Sequence, residues 1–494
     1  MMRSGGIAIL MIALSAGCQD RGPVGADPGA GDGSETIREI TVLYTNDEHG
    51  WMEGMEPGMG AANLYRLWQE QEGFSKDGAF LLLSGGDNWT GPAISTWVQG
   101  ESMVEVMNAM SYDASAVGNH EFDFGLEGLK QRTAEADFPF LSANTRWKDS
   151  GQVPIELGIL PYTVKELNGL QVGIIGLTTT STPRTANPQF VSTLRFDDYE
   201  PALRAAVAEV RRLDPDLLFV VAHVCLGELE ALALSVLDLE IDLMGGGHCN
   251  ELAARRVGET VLLGGGYHFT SYARARIRYD VRDDQLVDVE IGVAPNESAN
   301  DDSEIAALVK GWQDQFKDSL TEVIAWSDSE IDFRTPQFRQ AVIDSWLISD
   351  PTADFAITNA GGLRTRLPAG EITLNDLVNV MPFENNIYAV YLPGHVIVEA
   401  IETGGRPIVA GLTRRGADWI VSRTAAGIED DRLYRVLVNS FMYAGGDNFQ
   451  AIRENDPDGY DTGIHYRQPF VDALQRLQSN PSNPVDLEDL IRTR

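Results

Sequence analysis

At 494 residues the chain exceeds what one ordinary hydrophobic core organises, and 43% apolar residues with nine Trp supply material for two domains. A formal net charge of −35 excludes a long nucleic-acid partner, because phosphate contacts need Lys and Arg. A small anionic substrate stays open only where metals or a few arginines reverse the local field, and the remaining acidity reads as solvated surface.

The N-terminus reads as an address. "IAILMIALSA" is too short to span a bilayer but suits an export signal. Ser15, Ala16 and Gly17 before Cys18 resemble a bacterial lipobox, although Ser15 stands where Leu is usual. Residues 1–18 are therefore expected to be a lipoprotein signal with Cys18 lipidated, plain secretion being the alternative. Residues 19–37, rich in Gly, Pro and Asp, form a tether. No other segment is long and apolar enough to cross a membrane. The mature chain is expected in the periplasm or at the cell surface, touching membrane only through that anchor. Cys225 and Cys249 are too few for a disulfide framework; either they pair in an oxidising compartment or they are two small buried residues.

From Ile40 to about Val293 short β-branched runs alternate with helical stretches such as "YEPALRAAVAEVRRL", an α/β pattern. Several of these runs end alike. "YTNDEHG" carries Asp47 and His49, "GGDNWTG" carries Asp87, and "GNHEFDFG" carries Asn119, His120 and Asp123. "AHVCLGE" ends a strand at His223, and "GGHCN" brings His248 and Asn250. Polar groups in layered α/β folds gather outside the carboxyl ends of strands, and four of the seven histidines fall there. Each segment alone is weak, since Asp-x-His arises by chance and Gly-Gly-Asp makes turns. Together they offer carboxylates, imidazoles and amides enough for a pair of divalent cations with one carboxylate free to bridge.

These five segments resemble the blocks of the calcineurin-like metallophosphoesterases, and more closely those of the bimetal 5′-nucleotidase family. The resemblance implies that Asp47, His49 and Asn250 hold one metal, that Asp87 bridges, and that Asn119, His223 and His248 complete the second. It leaves His120 off the metals, facing phosphate, with Asp123 orienting it. Asn250 departs from the wider superfamily, where a second His is common; an amide oxygen is the weaker ligand. Two cations of the zinc, manganese or cobalt kind, about 3.5–4 Å apart, activate water and neutralise phosphoryl charge, and a cationic His120 would offset charge in the transition state.

Residues 298–322 read as a linking helix capped by Asp302 or Ser303. Beyond it, "DFAITNAGGLRTRLPAG", "LVNVMPFENNIYAVYLPG" and "YRVLVNSFMYAGGDNF" follow in order. Singly, a Phe beside Pro is a core residue and Gly-Gly-Asp a turn. Jointly they resemble the C-terminal domain of the same family. That implies Phe383 and Phe441 clamping a base, Asn359 at its edge, Asp447 on the ribose hydroxyls and Arg364 on phosphate. Arg334 would be a second phosphate contact, though the sequence around it departs from the family pattern.

The expected architecture is α/β, α+β overall. A metallophosphoesterase β-sandwich flanked by helices (38–297) precedes the linking helix and a smaller α/β nucleotide-binding domain (323–494), with the active site in the cleft between. The expected reaction is two-metal hydrolysis of nucleoside 5′-monophosphates to nucleoside and phosphate. UDP-sugar hydrolysis, 2′,3′-cyclic nucleotide phosphodiesterase with 3′-nucleotidase action, and hydrolysis of nucleoside di- or triphosphates are the enzymatic alternatives. A catalytically inactive nucleoside-binding lipoprotein is the non-enzymatic one, and filled ligand positions argue against it. A nuclease acting on polymeric DNA founders on charge.

Overall fold

The β-branched run Ile40, Thr41 and Val42, with Tyr44 and Thr45 after it, makes Ile37–Thr45 a strand whose last six residues are buried. In the computed structural model, which describes residues 36–492, this strand lies inside a seven-stranded sheet. The export segment, Cys18 and the tether through residue 35 lie outside the described residues. Ile37–Thr45 pairs in parallel with Phe80–Ser84, which pairs in parallel with Ala114–Ala116. A second, six-stranded sheet carries Leu170–Thr178, Leu217–His223 and Leu243–Gly246 as parallel neighbours.

The two sheets share one apolar layer: Val42, Tyr44 and Leu83 meet Ile174, Phe219 and Val221, all buried. Helices cover the outer faces. Met103, Val106 and Leu129 seal the first sheet, while Leu203, Val207 and Leu229 seal the second. The result is the layered sandwich flanked by helices that the sequence predicts. Because its central strands are parallel, their carboxyl ends share one edge.

The helix Ser303–Leu320 follows, and of the two candidate caps it is Asp302 that accepts from Glu304 N and Ile305 N. Its buried Ile305, Val309 and Leu320 pack into the first core, which also takes Val378 from the second half of the chain. A five-stranded sheet centred on Phe355–Asn359 and Leu433–Asn439 then forms, again with helices on both faces. Those two strands are parallel, so Asn359 and Asn439 end on one side, toward the first sandwich. Among the described residues no helix is long and apolar enough to cross a membrane.

Candidate active site

The carboxyl edge of the sandwich bends sharply. Asp47, His49, Asp87, His248 and Asn250, five of the seven expected metal ligands, all have left-handed backbone with φ between 47° and 72°. That region is sparse for residues with a Cβ, and such strain persists where the surroundings over-determine it. Here Asp47 N donates to Gly86 O (2.9 Å) and His49 N to Asp87 O (2.9 Å), lacing the first two loops together. Tyr44 Oη donates to Gly246 O (3.1 Å), and His223 Nδ1 bonds Gly85 O (2.8 Å), tying the two sheets at this edge. Gly118 admits a close approach, since a Cβ there would fall on the Asp87 carboxylate.

Asp87 is the hub. Its Oδ2 lies 2.9 Å from His223 Nε2 and 4.0 Å from His49 Nε2, and His49 Nε2 is also 4.0 Å from Asp47 Oδ1. His223 Nε2 is 3.2 Å from His248 Nδ1. Two groups of possible ligands share Asp87: one with His223 and His248, the other with His49 and His120. The buried carbonyl of Asn119 has no hydrogen-bond partner, which costs about 1–3 kcal/mol unless something binds it. Burial holds His49 well below the ordinary histidine value and His248 down at about 4, so both keep the neutral lone pair a cation needs. Donor chemistry, the orphaned carbonyl and the strained loops all fit cations here. Asn250 stands at the exposed rim, while Asp47 and His223 are buried beneath.

His120 Nδ1 lies 2.7 Å from Asp123 Oδ2. Burial opposes charge on this ring, yet Asp123 and Asp87 outweigh it and raise its pKa. His120 is close enough to Asp87 and His49 to join the second ligand group; what sets it apart is the carboxylate already holding its other nitrogen.

A cavity of about 1380 Å³ opens between this edge and the second half of the chain. His49, Asp87, Asn119, His120 and Asp123 line one wall; Asn359, Arg364, Phe383, Phe441 and Asp447 line the other. The walls touch. The His120 and Phe383 rings stack with centroids 5.6 Å apart, and Arg364 Nη2 reaches within 3.3 Å of His49 Nε2. Arg364 also lies 5.7 Å over the Phe383 ring. Phe383 and Phe441 are each half-buried, one face on the core and one toward the cavity. Arg334 is at the rim, its side chain 71% exposed and forked onto Asp332 (2.6 Å). Asn359 is engaged with protein at both amide atoms, on Asp447 and on Asn439.

Similarity to known proteins follows both halves. The model of the 5′-nucleotidase C-terminal domain matches residues 326–454. A 5′-nucleotidase of Vibrio cholerae serotype O1 is 28% identical over 520 residues, covering 91% of each chain. A human 5′-nucleotidase is 26% identical over 515 residues, covering 88% of this chain and 89% of its own. Over nearly its whole length the chain is similar to 5′-nucleotidases, and like them it is a phosphoric monoester hydrolase. The crystal structure of a 5′-nucleotidase precursor from Thermus thermophilus has the same fold through both halves, with a TM-score of 0.78 at 24% identity, covering 91% of this chain and 97% of that one.

Some functional groups escape sequence reading. Glu121, the last residue of "GNHE", accepts from Asp87 N (2.9 Å), Gly118 N (2.6 Å) and Asn88 N (2.7 Å), so one carboxylate shapes two ligand loops. Only its place inside the motif hints at this. Glu121→Ala leaves three buried N–H groups unpaired, at about 1–3 kcal/mol each; a large fall in melting temperature together with loss of bound metal is the expected outcome. His268, edge-on to His49 at 5.6 Å, comes from "GGGYHFT", a stretch with no recognisable pattern. Cys225 and Cys249 form a disulfide, joining the segment after His223 to the one after His248.

Proposed function

We propose that this enzyme removes phosphate from nucleoside 5′-monophosphates in the cleft between its two halves, using two divalent cations. The observation that carries the proposal is the meeting of two chemistries across one cavity, seen in the stacking of Phe383 on His120 and the approach of Arg364 to His49. A phosphoryl group held by Arg364 sits against the metal-competent edge, while anything attached to it is directed toward Phe383, Phe441 and Asp447.

Asp47, His49 and Asn250 would hold one cation, Asn119, His223 and His248 the other, with Asp87 shared. When bound, they supply charge neutralisation at the phosphoryl oxygens and activation of the attacking water. Arg364 contributes a planar fork suited to phosphate oxygens. His120, its Nδ1 fixed by Asp123, turns Nε2 toward the substrate and donates a proton or hydrogen bond to the phosphoryl or leaving oxygen. Asp447 accepts from the ribose hydroxyls. Two half-buried rings offer flat faces to any base. Arg334, forked onto Asp332 at the rim, would have to leave that carboxylate to meet phosphate. We place the enzyme outside the cytoplasm, anchored at Cys18; the Cys225–Cys249 disulfide favours an oxidising compartment.

The aromatic clamp supplies the test. Stacking on one ring is worth about 1–3 kcal/mol per base, available only to substrates that carry a base. Phe383→Ala and Phe441→Ala should each lower kcat/KM for AMP by roughly 5- to 150-fold, at about 1.4 kcal/mol per factor of ten. Hydrolysis of glycerol phosphate should hardly change. If the rings serve only the core, truncation would cost about 3–5 kcal/mol of stability. AMP and glycerol phosphate activities would then fall together with the melting temperature, and the clamp would be refuted.

A further inference from the structure

The strand Leu433–Asn439 ends in a residue that lies behind the cavity wall and not on it. Asn439 is fully buried and makes three side-chain hydrogen bonds, which join two other segments of the chain. Its Oδ1 accepts from Met442 N (2.8 Å), capping the short helix Ser440–Tyr443 that carries Phe441. Its Nδ2 donates to Thr358 Oγ1 (3.0 Å) and to Asn359 Oδ1 (2.9 Å). Asn359 in turn donates from Nδ2 to Asp447 Oδ2 (2.8 Å).

The direction of this chain is dictated at both ends. A backbone N–H only donates, so the Asn439 atom facing Met442 must be the oxygen, and its NH2 must point the other way. That NH2 demands an acceptor from Asn359, which compels the Asn359 NH2 to face Asp447. An ionised carboxylate only accepts, so the far end agrees. Space is tight around the relay: a Cβ at Gly361 would lie 3.3 Å from Asn359 Nδ2 and 3.6 Å from Asp447 Oδ2. Asp447 itself has left-handed backbone (φ 52°), uncommon for a residue with a Cβ though Asp tolerates it better than most.

We infer that Asn439 is a positioning residue: through Asn359 it fixes Asp447 as a pure acceptor for the ribose hydroxyls, and through its helix cap it sets Phe441 beside them. The inference rests on the proposed role of Asp447 in holding the ribose. Asn359 is then an orienting group, its oxygen accepting from Asn439 while its NH2 serves Asp447. Specificity for a vicinal diol is thereby built from a backbone N–H two hydrogen-bonded amides away.

Asn439→Asp separates the two jobs. The new carboxylate still accepts from Met442 N, keeping the cap, but it cannot donate to Asn359. Acceptor would face acceptor, Asn359 would turn over, and its carbonyl would confront Asp447. KM for AMP should rise about tenfold, the size of one charge-assisted hydrogen bond, with kcat nearly constant. KM for 2′,3′-dideoxy-AMP, which lacks the diol, should not move, so the ratio of the two KM values should collapse. Asn359→Leu breaks the relay from its middle and should give the same collapse, and the double variant should be no worse than either single one. It also keeps the question decidable should Asn439→Asp fail to fold. Asp447→Asn reports on the underlying reading: an unchanged ratio there means Asp447 does not hold the ribose. A collapsed ratio in Asp447→Asn with a wild-type ratio in folded Asn439→Asp and Asn359→Leu would overturn the relay alone.

Discussion

Asp87→Asn is expected to give a folded protein that holds neither cation and releases no measurable phosphate. Asp87 stands between both ligand groups, and its two oxygens already face different partners, His120 N at 2.8 Å and His223 Nε2 at 2.9 Å. An Asn can present its oxygen to only one of them, so its NH2 faces either the His120 N–H or the position a cation needs. Changing an outer partner of a metal ligand weakens affinity by roughly 10- to 100-fold; removing a shared ligand should exceed that at both positions together. Metal analysis after dialysis, with a melting curve as control, makes the comparison. Two tightly held ions in the variant would remove Asp87 from the centre of the site.

His120→Asn should behave in the opposite way, keeping both cations and the substrate while losing turnover. Its Nδ1 is occupied by Asp123, and the stacking against Phe383 points it into the cavity where the two halves meet. A positioned proton donor contributes on the order of 10²–10⁴-fold to rate, and kcat should fall by that much with KM for AMP little changed. Loss of one ion from this variant would make His120 a ligand, as its nearness to His49 and Asp87 permits. Ion content therefore discriminates where distance does not.

The layered α/β core was readable because its strands are parallel. Parallel neighbours end on one edge of their sheet, so the polar residues after "VLYT" and "LLLS" gather on one edge, and His223, closing "VVAH", lies on the matching edge of the second sheet packed against it. The second half was legible through motif order, since Phe383, Phe441 and Asp447 each have an ordinary structural explanation when taken singly. What stayed hidden was chiefly hydrogen bonding to backbone. Beyond the place of Glu121 inside "GNHE", nothing in sequence marks it as an acceptor for three N–H groups, and nothing marks Asn439 as the start of a relay. Left-handed geometry at His49 and His248 was equally invisible, as it is imposed by neighbouring loops. The Asp332–Arg334 pair, two residues apart, is a local signal that was available and shows why that arginine sits at the rim.

If one cleft joins metal-competent chemistry to nucleoside recognition, a phosphate-release panel will show it in the substrates turned over. Purified enzyme supplied with divalent cation would be offered AMP, UMP, UDP-glucose, the 2′,3′- and 3′,5′-cyclic AMP isomers, ATP and glycerol phosphate, with and without a strong chelator. The 5′-monophosphates should have the highest kcat/KM, yield one phosphate per nucleoside, and lose all turnover when the metal is removed. Full activity of the metal-free protein, or a base-free ester outrunning AMP, would rule out a metal-dependent nucleotidase.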